Sequence, residues 1–331
     1  MRRRVTMWGA AAAVVVGLVG SAPAAERLTV AYSALAGSQA ALWVAQESGA
    51  FRRHGLEVSL IYLAGGSKAV QALLAGDVRM VQMGAPAAVV SANVTGAQLV
   101  FVGGVLNSIL HFLVVAPEVT AATGLRGKTV GVTRFGSLSD LSARLILERL
   151  GLQAPREVAI VQTGGYPEAL AAMQGGGIQG AIFTAPWHRR AERLGFRILT
   201  SAPEQGIRLP STTLATSRSF LAARPELVRG FLQGFAEGMH RYKHDKEASL
   251  RVLAKYLRMT EREALESAHE DARFLEPRLA LPLEGIRLLI EEVARHDPRA
   301  RASKPEEHVD LRLVQELERD RFFDRLAAPG R

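Results

Sequence analysis

Residues 63–86 read LAGGSKAVQALLAGDVRMVQMGAP, and residues 165–186 read GYPEALAAMQGGGIQGAIFTAP. The second stretch aligns without a gap on residues 65–86. Gly65/Gly165, Ala69/Ala169, Ala72/Ala172, Gly76/Gly176, Ala85/Ala185 and Pro86/Pro186 are identical, and Val78/Ile178 and Leu73/Met173 are similar. Each copy runs from a glycine turn into apolar residues at helical spacing, then through a second glycine into a short apolar run. The pattern is strand, turn, helix, strand, written twice.

Working outward, strands and helices alternate on both sides of each copy. RLTVAYS (27–33), LEVSLIYL (56–63), LVFVGGVL (99–106) and HFLVVAP (111–117) read as strands before and after the first copy. GKTVGVTRFG, EVAIVQT and FRILT do so around the second. SQAALWVAQESGAF and SLSDLSARLILERLGL carry helical spacing, the latter with Ser137 or Ser139 as an N-cap candidate. From Pro225 the chain becomes helix-rich and charged. Such alternation predicts an α/β fold with mainly parallel sheets in two lobes, followed by a helical C-terminal extension.

In open α/β sheets ligands sit at the C-terminal ends of the strands. Helix N-termini there offer unpaired N–H groups, and glycine lets a ligand approach the backbone. Two similar lobes with such rims could face each other across a cleft and bind without any catalytic side chain.

The first 25 residues, MRRRVTMWGAAAAVVVGLVGSAPAA, combine three arginines, an apolar run and an A-x-A-like site. They read as a secretory signal peptide, which places the mature protein free in the periplasm. The 331-residue chain has no cysteine, so an exported form relies on its core alone and has no thiol for lipidation. The net charge of +9 includes Arg2, Arg3 and Arg4, and the other basic residues are interspersed with acids. That argues for a solvated surface and against nucleic acid.

Residues 28–84, 125–152 and 164–187 resemble the two lobes of solute-binding proteins of ABC importers, of the nitrate/sulfonate/taurine type. The order and spacing of loose motifs carry this likeness over nearly all of the mature chain. The resemblance implies a two-lobed periplasmic-binding-protein (type II) fold and a soluble monomer that hands a small molecule to a membrane permease. It implies lobe 1 over 26–115 plus 217–331, lobe 2 over 116–216, and crossovers near 111–117 and 210–217. Implied ligand contacts are Ser33, Gly37, Gln39, Gly66, Ser67, Met83, Gly84, Asn107, Gly136, Ser137, Thr184 and Trp187, with Tyr166 placed to stack on a ligand. Arg134 in TRFGS could pair with a carboxylate or sulfonate, or form a surface or inter-lobe ion pair. A rim substitution such as Gly66→Val is expected to abolish binding and leave the fold intact.

Some relatives of this fold resemble enzymes of thiamine-pyrimidine synthesis that use a cysteine-rich motif, which a chain without cysteine lacks. G-x-S-x-G, S-x-x-K and P-loop patterns are also missing. Glu237, His240 and His244 share a helix face but read as solvated, so no metal and no cofactor is expected. The expected role is capture of a small polar or anionic organic molecule. A periplasmic sensing module for a signalling partner is the alternative.

Overall fold

The computed structural model describes residues 25–328. All but the last residue of the expected signal peptide lies outside the described residues.

The first sheet contains β1 (Glu26–Tyr32), β2 (Leu56–Tyr62), β3 (Met80–Met83), β4 (Leu99–Leu106) and, from much later in the chain, β10 (Thr212–Ser217). Its order is β2-β1-β3-β10-β4. The second contains β5 (Phe112–Val115), β6 (Thr129–Val132), β7 (Ala159–Gln162), β8 (Gly180–Phe183) and β9 (Arg197–Ser201), ordered β7-β6-β8-β5-β9. The two orders are the same once β6 is matched to β1. The sequence repeat is thus a structural one, with β3 and β8 as its last strands and helices Gly66–Ala75 and Tyr166–Gln174 before them. Gly76 closes the first of these helices at φ +78, and Gly176 follows the second at φ +70, a left-handed region that favours glycine.

β1 is parallel to β2 and β3, and β6 is parallel to β7 and β8. β10 and β5 run antiparallel to both of their neighbours. Each sheet is therefore mixed: the repeat strands supply the expected parallel pairs, and the strand entering from a crossover supplies the antiparallel ones.

Two lobe boundaries differ from expectation. The boundary at residue 115 puts Phe112–Val115 in the first lobe, but this strand pairs with β8 and β9 of the second sheet. Residues 212–216, expected in the second lobe, pair with β3 and β4 of the first. The chain crosses between sheets at 107–111 and again at 202–211. Short apolar runs such as FLVV announce a buried strand but do not say which sheet supplies its partners.

Apolar cores cover the faces of the first sheet. On one side Trp43, Phe51, Phe231, Phe235 and Met239 are buried around helices Ala40–Glu47 and Pro225–His244. On the other, helices Gly66–Ala75, Pro86–Val94 and Leu283–Ala294 bury Val70, Val89, Val90 and Leu289. Among the described residues no helix is long and apolar enough to cross a membrane.

Candidate functional site

The turns that follow the strands of the repeat meet across the two sheets. Gly37 N, after β1, donates to Ala185 O, after β8, at 3.2 Å. Leu138 N, which opens helix Leu138–Arg149, donates to Gly84 O, after β3, at 2.8 Å. The Trp187 indole Nε1 donates to Leu35 O at 2.6 Å. These three bonds join the ends of the strands, where ligands bind in open α/β sheets.

Within the first half, Ser33 knots three turns together. Its Oγ accepts from Gly84 N at 2.9 Å, and its carbonyl accepts from Gly65 N at 3.0 Å. Gly66 lies so close to the β3 turn that a Cβ would stand 2.5 Å from both Gly84 O and Ala85 Cβ. The expectation that Gly66→Val spares the fold is therefore not supported by the packing: the glycine is needed for the turns to touch. Ser67 faces Gly136 across the cleft, its Cβ 3.7 Å from where a Gly136 Cβ would be. Met83 is wholly buried in the core on the helix Gly66–Ala75 side. Gln39 is buried, and its Oε1 has no partner.

From the second half, the Arg134 side chain crosses to the first, its Cγ 2.4 Å from a Cβ built on Gly65, and its buried Nε is unpaired. Ser137 stands at the N-cap of helix Leu138–Arg149, but its hydroxyl donates to Arg134 O at 2.7 Å instead of capping the helix. Gly136 N donates to Asp140 Oδ2 at 2.9 Å. Gly136 and Ser137 also line an outer groove of about 310 Å³ between helices Pro86–Val94, Leu138–Arg149 and Leu283–Ala294. Thr184 is buried, and its carbonyl accepts from Trp187 N at 2.8 Å.

Asn107, on the first crossover, is turned toward the C-terminal region: its Nδ2 donates to Ala280 O at 3.0 Å. Tyr166 is buried with its hydroxyl 3.1 Å from His111 Nε2, and His111 Nδ1 lies 2.8 Å from Ser142 Oγ. Burial lowers the His111 pKa to about 3, so the imidazole is neutral. Burial raises the Tyr166 phenol above its ordinary value.

Three more polar groups occupy this neighbourhood without having been singled out in the sequence. Tyr62 ends β2, and its hydroxyl lies 3.0 Å from a Cβ built on Gly165. Burial first, and then the Glu168 charge, push its pKa up to about 12, while Arg134 acts in the opposite sense. Gln82 on β3 donates through Nε2 to Ser38 O at 2.9 Å and leaves its Oε1 unpaired. Asp271, from the C-terminal extension, places Oδ2 3.0 Å from a Cβ built on Gly37. A glutamine inside the apolar strand VRMVQMG is a signal that sequence reading could have caught. Asp271 in HEDARF looks like any residue of a charged helix face.

The model of the NMT1-like family matches residues 21–258. The chain belongs to the NMT1-like family. Its fold is that of a protein from Bordetella bronchiseptica, at TM-score 0.79 and 20% identity over 89% of this chain and 97% of that one. The alkanesulfonate-binding protein SsuA from Xanthomonas axonopodis pv. citri, solved with MOPS, matches at TM-score 0.71 and 18% identity, over 86% and 96% of the chains. The periplasmic nitrate-binding protein NrtA from Synechocystis PCC 6803 matches at 0.74 and 11%, over 89% of each. The desulfurization enzyme DszB shares the fold too, at 0.64 and 15%, over 89% of this chain and all of the enzyme. No curated protein sequence matches the chain significantly.

Proposed function

We propose that this protein is the periplasmic solute-binding component of an ABC importer, capturing a small polar or anionic organic molecule between its two lobes and delivering it to a membrane permease. The observation that carries the reading is the meeting of the repeated turns, through Gly37–Ala185, Gly84–Leu138 and Leu35–Trp187. Such turns can hold a small molecule on both sides, so ligand contacts made only when the lobes meet favour the closed state. The structural neighbours named for sulfonate and nitrate binding support the same role. One neighbour is an enzyme, so the test includes a turnover control.

The test uses residues 26–331 in a thermal-shift screen with alkyl and aryl sulfonates, nitrate, aromatic carboxylates and pyrimidines. A ligand at about 100 times its Kd stabilises by roughly 2.7 kcal/mol, a shift of several degrees. A saturable shift with the compound recovered unchanged supports a receptor. Recovery of a converted product points to catalysis, and no shift across the panel removes these ligand classes. Arg134→Gln should weaken an anionic ligand by about 10-fold or more, the value of a charge-assisted hydrogen bond.

A further inference from the structure

The acceptors and donors of the cleft are unequally free. Gly84 N is taken by Ser33 Oγ, Gly136 N by Asp140 Oδ2 and Leu138 N by Gly84 O. These are backbone donors that an anion would otherwise use. By contrast Gln39 Oε1, Gln82 Oε1 and Asp271 Oδ2 are buried oxygens with no hydrogen-bond partner. A buried acceptor left unmade costs about 1–3 kcal/mol, more when charged, and natural structures rarely keep several in one place.

Asp271 is 5% exposed and sits where both lobes come close. Its free oxygen lies behind Gly37, the residue whose N–H crosses to Ala185 of the second lobe. Its charge is near enough to oppose ionisation of Tyr166, which opens helix Tyr166–Gln174 of the second lobe. Asp271 packs against the turn Gly37–Gln39, so a buried carboxylate and a buried amide oxygen, both unpaired, belong to one turn and its neighbour, and such acceptors are the chemistry that recognises a desolvated cationic donor. We propose that Asp271 is a ligand-contacting residue of the cleft, and that the molecule bound there presents a protonated nitrogen, an ammonium or amidinium, to its carboxylate and to the Gln39 amide oxygen. This deepens the receptor reading and rests on it.

The groups around Asp271 set how binding responds to pH. Burial and then Glu270 raise its pKa to about 8, against Arg273 and the Ser38 N–H, and its charge in turn opposes ionisation of the buried Tyr166 and Tyr242. Without ligand the carboxyl is mainly protonated at pH 7. A cation that pairs with the carboxylate drives that proton off, so affinity rises with pH up to about 8.

The test compares the wild-type mature chain with Asp271→Asn, which keeps size and polarity and removes the charge. Circular dichroism and a melting curve establish that the variant is folded. The probes are matched sets: 2-aminoethanesulfonate, ethanesulfonate and ethylamine; benzamidine and benzamide. The expected result is that wild type prefers a protonated nitrogen over its uncharged analogue by at least 10-fold, and that Asp271→Asn abolishes this preference. Calorimetry of the wild type in Tris and in phosphate at pH 7 should give heats that differ by the buffers' protonation enthalpies, and the variant should lose the difference. A structural role alone would move neither readout. Binding of the anionic or uncharged probes alone overturns the assignment and leaves the receptor reading standing. Equal preference in wild type and variant also overturns it. No binding by any probe overturns it together with the receptor reading for these classes.

Discussion

At Asp271 the carboxyl loses more by leaving water than it regains from the Ser38 N–H and Arg273, which is why its pKa rises to about 8. In the unfolded chain it would titrate near 3.9. Between those values the folded state holds a proton that the unfolded state has released, so this residue's contribution to stability falls as pH rises from about 4 to about 8. The melting temperature of Asp271→Asn should therefore gain on that of the wild type between pH 5 and pH 9, and parallel curves would contradict the burial argument. His111 works from the other side. Burial lowers its pKa to about 3, below the 6.5 of a free imidazole, so its contribution is present at neutral pH and lost as pH falls below about 6.5. His111→Gln should flatten part of the acid limb of a Tm-versus-pH curve. Burial lowers His188 as well, to about 4, so the limb should persist in reduced form.

On the scale of single elements, helix Pro225–His244 shows how spacing controls approach. Gly230, Gly234 and Gly238 recur every fourth residue and form a shallow groove on one face. A Cβ on Gly238 would lie 2.4 Å from Ala45 Cβ and 2.6 Å from Ala41 O, and one on Gly234 2.6 Å from Phe51 Cδ1. Alanine raises helix propensity by about 1 kcal/mol, but overlap with a packed backbone costs about 1–3 kcal/mol. Because Gly238 meets backbone oxygen and not a flexible side-chain tip, overlap should win. Gly238→Ala should lose about 1–2 kcal/mol in urea unfolding, and a gain would mean that the two helices can slide apart. Much of this level was legible in the sequence: strand β4 falls on LVFVGGVL, and the helices of the repeat lie within a residue or two of their glycine boundaries. What could not be read is partner choice. β5 and β10 cross to sheets that no local pattern names, and the polar groups brought together at the cleft are far apart in sequence. Tyr62 reaches Gly165 and Asp271 reaches Gly37 only through tertiary packing. Arg134 stands beside the Gly136 turn and Trp187 beside the Thr184–Pro186 turn of the resembling segment, whereas Asp271 has no such mark.

For the whole molecule, the question is how strongly the lobes hold each other before a ligand arrives. Two exposed ion pairs join the C-terminal helices to the second lobe, Arg295–Glu148 at 2.7 Å and Arg193–Glu263. Solvated pairs of this kind contribute about 0–1 kcal/mol and weaken with salt. The Trp187–Leu35 bond is different, because the indole is 4% exposed and its donor reaches a backbone carbonyl of the other lobe. Trp187→Phe retains an aromatic ring in the second lobe while deleting that donor. A buried hydrogen bond contributes about 1 kcal/mol net, which corresponds to about a 5-fold shift of the closed-to-open ratio. When only the closed form binds and it is the minor species, apparent Kd rises by the same factor. Trp187→Phe should therefore weaken any cleft ligand about 5-fold with its chemical preferences unchanged, in contrast to Asp271→Asn, which should change preference. Small-angle scattering should show the ligand-free variant more expanded than the wild type, and both compacting to the same radius at saturating ligand. If Kd rises while the scattering curves coincide, Trp187 contacts the ligand directly and the bond to Leu35 does not govern closure.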